Sequence, residues 1–260
     1  MNPFIKTYWK TLLFFAAVGL IGGFFTGLYL LDSYPAEIKQ QLMAELAASG
    51  LGQIPADLLV AVVTALQSAG YGLLLGAAGI LLGKKTGLWR NERSITKKPL
   101  LLSAAVSLFG GLVLILPDIF FFGRYSEVIL NSYAAKPTLP YFLATVTYGA
   151  VIEEVMLRLF AMSLLAFLLH KLSKKKGETP TTAVLIAANV ITAALFAAGH
   201  LPATFAMIGN SPIILFRCFL LNGGLGLLFG QLYRKYGLRY AMLAHGGCHV
   251  VSKLIWILFL

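Results

Sequence analysis

Two adjacent carboxylates, an arginine one turn later and three histidines are the side chains of this sequence best suited to chemistry. Glu153, Glu154 and Arg158 lie in the string VTYGAVIEEVMLRLFAM. On a helix the two glutamates point about 100° apart, whereas Glu154 and Arg158, at i and i+4, share a face. Glu154 is therefore the natural partner of Arg158, and Glu153 is left facing elsewhere without a cation. A carboxyl so placed is suited to exchanging protons with a reactant. His200 closes the string LFAAGH, and His245 and His249 sit in AHGGCHVV at i and i+4 on one helix face. Three histidines with two carboxylates have the composition of a hydrolytic or a metal site. The HxxxH spacing suits two zinc ligands, with His200 or a glutamate as a third and water in the fourth place.

The elements that carry these residues are apolar. The chain of 260 residues is 58% hydrophobic and only 12% charged, with a mean hydropathy of +0.82. Soluble enzymes carry about twice that charged fraction, so soluble classes are excluded. A membrane-spanning helix needs about 20 mostly apolar residues. About seven such stretches are expected, at 8–31, 57–83, 100–122, 141–169, 181–203, 213–232 and 241–260. The sequence thus predicts an all-α, polytopic transmembrane bundle, a single integral membrane domain over 1–260. The first stretch reads as a retained anchor and not a cleaved signal, because its apolar run exceeds an h-region and no A-x-A site follows it.

Charge gives the orientation. Of 21 basic residues, fifteen fall in alternate loops: Lys6 and Lys10; Lys84, Lys85, Arg90, Arg93, Lys97 and Lys98; Lys171, Lys174, Lys175 and Lys176; Arg234, Lys235 and Arg239. Only Lys39, Arg124 and Lys136 fall in the others. The positive-inside rule places the N-terminus in the cytoplasm and the C-terminus outside. Topology therefore accounts for the net charge of +11. The basic loops need anionic lipid headgroups as neighbours, not nucleic acid.

Ionisable groups at membrane depth cost several kcal/mol unless paired or wet, which singles out Glu153, Glu154, Arg158 and the histidines as functional. Other polar residues read as structural. Arg217 and Lys253 are expected to snorkel to the outer interface, Asp118 to mark an outer boundary turn, and Asn189 and Asn222 to bond between helices. NGGLGLLFG reads as close helix packing, and Ile38, Leu42 and Leu46 as one face of an interfacial helix between the first two spans. His170 is an interfacial residue. Cys218 and Cys248 both lie in apolar runs and offer no disulfide framework.

An EExxxR helix, then FxxxH closing a later helix, then HxxxN on a still later one is an ordered family signature. Glu153, Glu154 and Arg158, Phe196 and His200, and His245 with position 249 match its order and spacings. The chain resembles the CAAX prenyl endopeptidase type II and bacteriocin-processing (CPBP, or Abi) family of intramembrane proteases. The resemblance covers residues 141–255 as the catalytic core, and the first three spans contribute only membrane character to it. It implies that Glu153 and His200 activate a water, and that His245 and residue 249 stabilise the oxyanion, with Glu154 and Arg158 as scaffold. His249 departs from the family Asn. An amide donates in any protonation state, whereas a neutral imidazole donates from one nitrogen and can also bind metal. The family includes proteases described as metal-dependent and as metal-independent, so zinc on His200, His245 and His249 stays an open alternative here.

The resemblance implies an endopeptidase in a bacterial plasma membrane, acting on a membrane-associated or secreted peptide. Two other classes share some of these features. A proton-coupled transporter would also need intramembrane Glu, Arg and His, but no inverted repeat relates the two halves. A non-catalytic scaffold or immunity factor would keep the fold and bind a partner without cleaving it.

Overall fold

A computed structural model describes residues 3–50, 52–90, 95–173 and 177–260. Arg93, Lys174, Lys175 and Lys176, counted above among the basic loop residues, lie outside the described residues. Regular structure among the described residues is entirely helical. Six helical stretches are long and apolar enough to cross a membrane: Pro3–Ser33 (α1), Ala56–Thr86 (α3), Lys97–Arg124, Thr182–Met207 (α7), Pro212–Tyr236 (α8) and Leu238–Phe259 (α9). Within the third of them, α4 proper runs Lys97–Phe120. Short helices Ala36–Ala48 (α2) and Glu127–Asn131 (α5) lie in the connections. The expected fourth span is also helical, over 139–172 (α6), but its winding changes along its length. The α-turns of Leu139–Ala144 give way to π-turns over Thr145–Glu153 and Val155–Met162, and α-turns resume over Ser163–Leu172. With α6 counted, the seven expected spans are present.

Large apolar side chains face outward all round: Leu13, Leu66, Leu74, Phe109 and Leu258 are each more than half exposed. That is the inverse of a soluble surface and suits a molecule whose solvent is hydrocarbon. In lipid, apolar area no longer drives helices together, so close packing and hydrogen bonds must do so. The small residues show how. A Cβ on Gly19 or Gly23 would run into Ser68 and Thr64, and one on Gly27 into the backbone of Ala61. A stripe at four-residue spacing on α1 thus lies directly on α3. Between α4 and α9, Ser103 donates to the Tyr240 carbonyl at 3.0 Å, and Ser107 occupies the space a side chain on Gly247 would need.

Because the atoms that would meet the new methyl at Gly27 are backbone, neither helix can give way by a rotamer change. Gly27→Ala is therefore expected to destabilise by about 1–3 kcal/mol, read as a lower thermal midpoint of the detergent-solubilised protein.

Connections follow local chemistry. α3 ends at Gly87, whose φ of 73° is the left-handed conformation favoured at a helix C-terminus, with Lys84 and Lys85 in the last turn. α7 starts on Thr181, whose hydroxyl accepts from the Val184 N–H. The α8 to α9 turn consists of Gly237 alone, at φ 102°. α2 has no buried residue; on the face expected to be interfacial, Leu42 and Leu46 are half-buried and Ile38 is exposed.

Candidate active site

α6 brings its charged residues into the bundle on two different faces. Glu154 is fully buried at the junction of the two π-wound stretches, a kind of winding that recurs at functional sites. Arg158, 1% exposed, pairs with it at 3.3 Å, as the i, i+4 spacing predicts. The guanidinium also donates from Nη2 to the Gly226 carbonyl at 3.1 Å and lies over the rings of Phe196 and Phe229, at 4.6 and 5.6 Å from their centroids. A side chain on Gly226 would press on Arg158 and Phe196, so the Gly-rich run of α8 gives the close approach expected of it.

Glu154 has a second partner not anticipated from the spacing. His245 Nδ1 lies 2.9 Å from the same Glu154 oxygen that faces Arg158. A carboxylate only accepts, so the proton of that bond sits on Nδ1 and the Nε2 edge of His245 faces the other way. There it stands 3.8 Å from Glu153 Oε2. Phe229 stacks on the imidazole at 4.6 Å and 17°, fixing the ring plane. Glu154 therefore holds a histidine as well as an arginine.

Glu153 points away from this pair, as expected, into a cavity of about 540 Å³ whose wall also carries His200, His245 and His249. That volume is within the usual range of ligand sites. Glu153 is 19% exposed at its side chain and has no hydrogen bond among the described residues. The His249 ring lies 5.1 Å from that of His245. Both Nε2 atoms converge where Gly149 has no side chain: a Cβ there would be 3.6 Å from His249 Nε2 and 3.8 Å from His245 Nε2.

His200 reaches the same cavity from α7 but bonds to neither glutamate. Its Nδ1 lies 2.8 Å from the Phe196 carbonyl, one turn back. A carbonyl only accepts, so Nδ1 carries the proton and a neutral His200 presents an accepting Nε2. The Phe196 ring joins the two motifs, 4.7 Å from the ring of His200 and 5.8 Å from that of His245.

The zinc alternative does not fit this arrangement. Among the described residues no group of three or more His, Cys, Asp or Glu side chains is placed to hold a metal ion. His200, His245 and His249 share a wall but are not gathered as a ligand set; the Nδ1 bonds of His200 and His245 leave both Nε2 edges open and do not bear on metal binding.

Four expectations about the surroundings are corrected. Asp118 is no boundary turn: it is 1% exposed within the last turn of α4. Arg217 does not snorkel but grips that carboxylate with two bonds, Nε to Oδ1 at 2.6 Å and Nη2 to Oδ2 at 2.5 Å, while Tyr133 donates to Asp118 at 2.8 Å. Lys253, 2% exposed, lies over the Tyr141 ring at 4.1 Å. The sequence held a signal for both cations. Asp118 and Arg217 are opposite charges near the same end of two spans, and Lys253 continues the His245, His249 stripe by one more turn. Asn189 bonds between helices as expected, donating to the Leu227 carbonyl at 3.0 Å, whereas Asn222 bonds within its own helix and lines the cavity.

The first three spans also do more than supply membrane character. Thr26, Tyr29 and Leu30 of α1 and Leu114 of α4 complete the cavity wall, and the Tyr29 ring stacks on Tyr141 of α6 at 4.4 Å.

No curated protein and no solved structure matches the chain. Residues 135–251, the stretch that holds every motif residue of the site, match the family model described as type II CAAX prenyl endopeptidase Rce1-like, the same protease family to which the three motifs point.

Proposed function

We propose that the protein is an intramembrane endopeptidase in which Glu153 is the general base. The observation that supports this best is the contrast between the two glutamates. Glu154 is committed to Arg158 and His245, while Glu153 keeps its carboxylate free on the wall of a cavity lined by three imidazoles.

In this reading a water sits between Glu153 and His200 Nε2, the edge left accepting by the Phe196 carbonyl. Glu153 takes one proton as the water oxygen bonds to the peptide carbonyl carbon. Negative charge then develops on the carbonyl oxygen, beside the place where His245 and His249 bring their Nε2 atoms together. An N–H on His249 Nε2 stabilises that oxyanion in a site with little competing water, and His245, whose Nδ1 proton is held by Glu154, adds a donor at Nε2 only when its ring carries both protons. The C–N bond breaks as Glu153 returns its proton to the departing nitrogen, leaving a carboxylic acid and an amine. Glu154 acts through His245, holding its tautomer and its ring plane. The substrate is a membrane-associated or secreted peptide, and the cationic loops suit a bacterial plasma membrane.

The test is cleavage of a quenched membrane-peptide library by the purified protein. His249 gives a graded check of the oxyanion assignment. Asn at this position keeps a donor, so His249→Asn is expected to retain activity within about tenfold, whereas His249→Leu removes the donor and should lower kcat by about 10²-fold. Equal activity in wild type and His249→Leu would remove His249 from the mechanism.

A further inference from the structure

We propose that the catalytic cavity is entered from the non-cytoplasmic side of the membrane, so that the substrate is a segment exported to, or anchored in, the outer leaflet. The inference deepens the peptidase reading and rests on it for the word substrate, but the direction of entry stands on geometry and charge alone.

The basic residues fix one end of the bundle. Lys84 and Lys85 close α3, Lys97 and Lys98 open α4, Lys171 is in the last turn of α6, Arg234 and Lys235 are in the last turn of α8, and Arg239 opens α9. With chain direction alternating from span to span, these ends share one side, and the positive-inside rule makes that side cytoplasmic. No residue of these clusters lines the cavity.

The cavity wall runs from the middle of the bundle to the opposite end. Its deepest members are Phe229 and His245, and from there it passes Glu153, His249 and His200. It ends on Tyr29 near the C-terminus of α1, Tyr141 in the first turn of α6, Met207 at the end of α7 and Arg217 in the second turn of α8. All four lie at the end remote from the cationic loops. Aromatic side chains mark that level as an interface. Tyr29 stacks on Tyr141, Trp256 meets Tyr141 and Tyr133, and the Trp256 indole N–H donates to the Tyr133 carbonyl at 3.2 Å. Tyr and Trp gather where a bilayer meets water. Arg217 is the single Lys or Arg among the lining residues, and its charge is matched by Asp118. The wall is otherwise mostly apolar, as suits an extended apolar segment arriving from lipid or from the outer surface.

Cysteine accessibility in intact bacterial cells expressing the full chain tests this without relying on activity. Gly199 lines the cavity beside His200, and a Cβ there meets nothing within 4 Å, so Gly199→Cys places a thiol in open space. Met207→Cys places one at the mouth, and Lys85→Cys places one on the exposed end of α3. The native Cys218 and Cys248 are buried, so wild type supplies the background. With a membrane-impermeant maleimide, Gly199→Cys and Met207→Cys are expected to label as fully in intact cells as after permeabilisation. Lys85→Cys should rise from background only on permeabilisation. Labelling of Gly199→Cys only after permeabilisation, or in neither condition although the denatured protein labels, overturns the proposal. So does labelling of Lys85→Cys in intact cells.

A second arm separates this idea from the peptidase reading. A reporter peptide exported across the membrane should be cut and the same peptide retained in the cytoplasm should not. Cleavage of the cytoplasmic form alone overturns outward entry. Cleavage of neither, with Gly199→Cys labelled from outside, leaves the direction of entry standing and counts against the peptidase.

Discussion

Glu153→Gln is expected to reduce peptide cleavage by about 10²- to 10⁴-fold, the contribution of a positioned general base, while leaving the protein folded. The substitution keeps the shape of the side chain and removes its ability to take a proton. Little else depends on that carboxylate. The nitrogen facing it among the described residues is His245 Nε2 at 3.8 Å, beyond hydrogen-bond distance, and its side chain is 19% exposed. The measurement is kcat on a quenched membrane peptide, paired with the thermal midpoint of the same preparation. Lost activity at an unchanged midpoint is the expected pair of results. Retained activity would remove Glu153 as the base, and a large fall in the midpoint would make it a structural residue.

Glu154→Gln should behave differently. Its oxygen orders the proton on His245 Nδ1 and faces Arg158, so both activity and midpoint should fall. The two adjacent carboxylates are therefore distinguishable by which readout moves.

That Glu154 pairs with Arg158 while Glu153 faces elsewhere was legible in the sequence because it follows from helical spacing alone. Glu154 and Arg158 share a face at i and i+4, and the change from α- to π-turns in α6 does not separate them. The spans were legible for a similar reason: a bilayer demands about 20 apolar residues whatever the fold. What the sequence left open depends on how helices face one another. That Glu154 reaches His245, 91 residues away, depends on α6 packing beside α9. Asp118 and Arg217 were read singly, as a turn and a snorkelling cation, because nothing local says that α4 and α8 place them in contact. Histidine count and HxxxH spacing allow a zinc ligand set, but whether three such side chains meet at one point is decided by helix packing, and among the described residues no such group forms. The role of α1 was hidden because its contribution is a stripe of glycines and a few cavity-lining side chains, not a charge.

Arg158→Met is expected to destabilise the protein by about 3–5 kcal/mol, the cost of breaking a buried ion pair from one side, and to leave little folded material at physiological temperature. The guanidinium has no access to water at 1% exposure, and it serves four partners at once: Glu154, the Gly226 carbonyl and the rings of Phe196 and Phe229. Methionine restores much of the volume but none of the positive charge, so Glu154 would be left buried with His245 alone. Arg158→Lys keeps the charge but loses the flat surface that lies over Phe196 and the second nitrogen that reaches Gly226, so it should fall between wild type and Met. The decisive comparison is the double variant Glu154→Gln with Arg158→Met. If the loss in Arg158→Met comes from an uncompensated buried carboxylate, the double variant should be more stable than the single one. If it comes from lost packing, the double variant should be no better. Thermal midpoints of the four proteins in one detergent decide between these. The double variant should remain inactive even where it folds, because His245 has then lost the carboxylate that holds its proton on Nδ1.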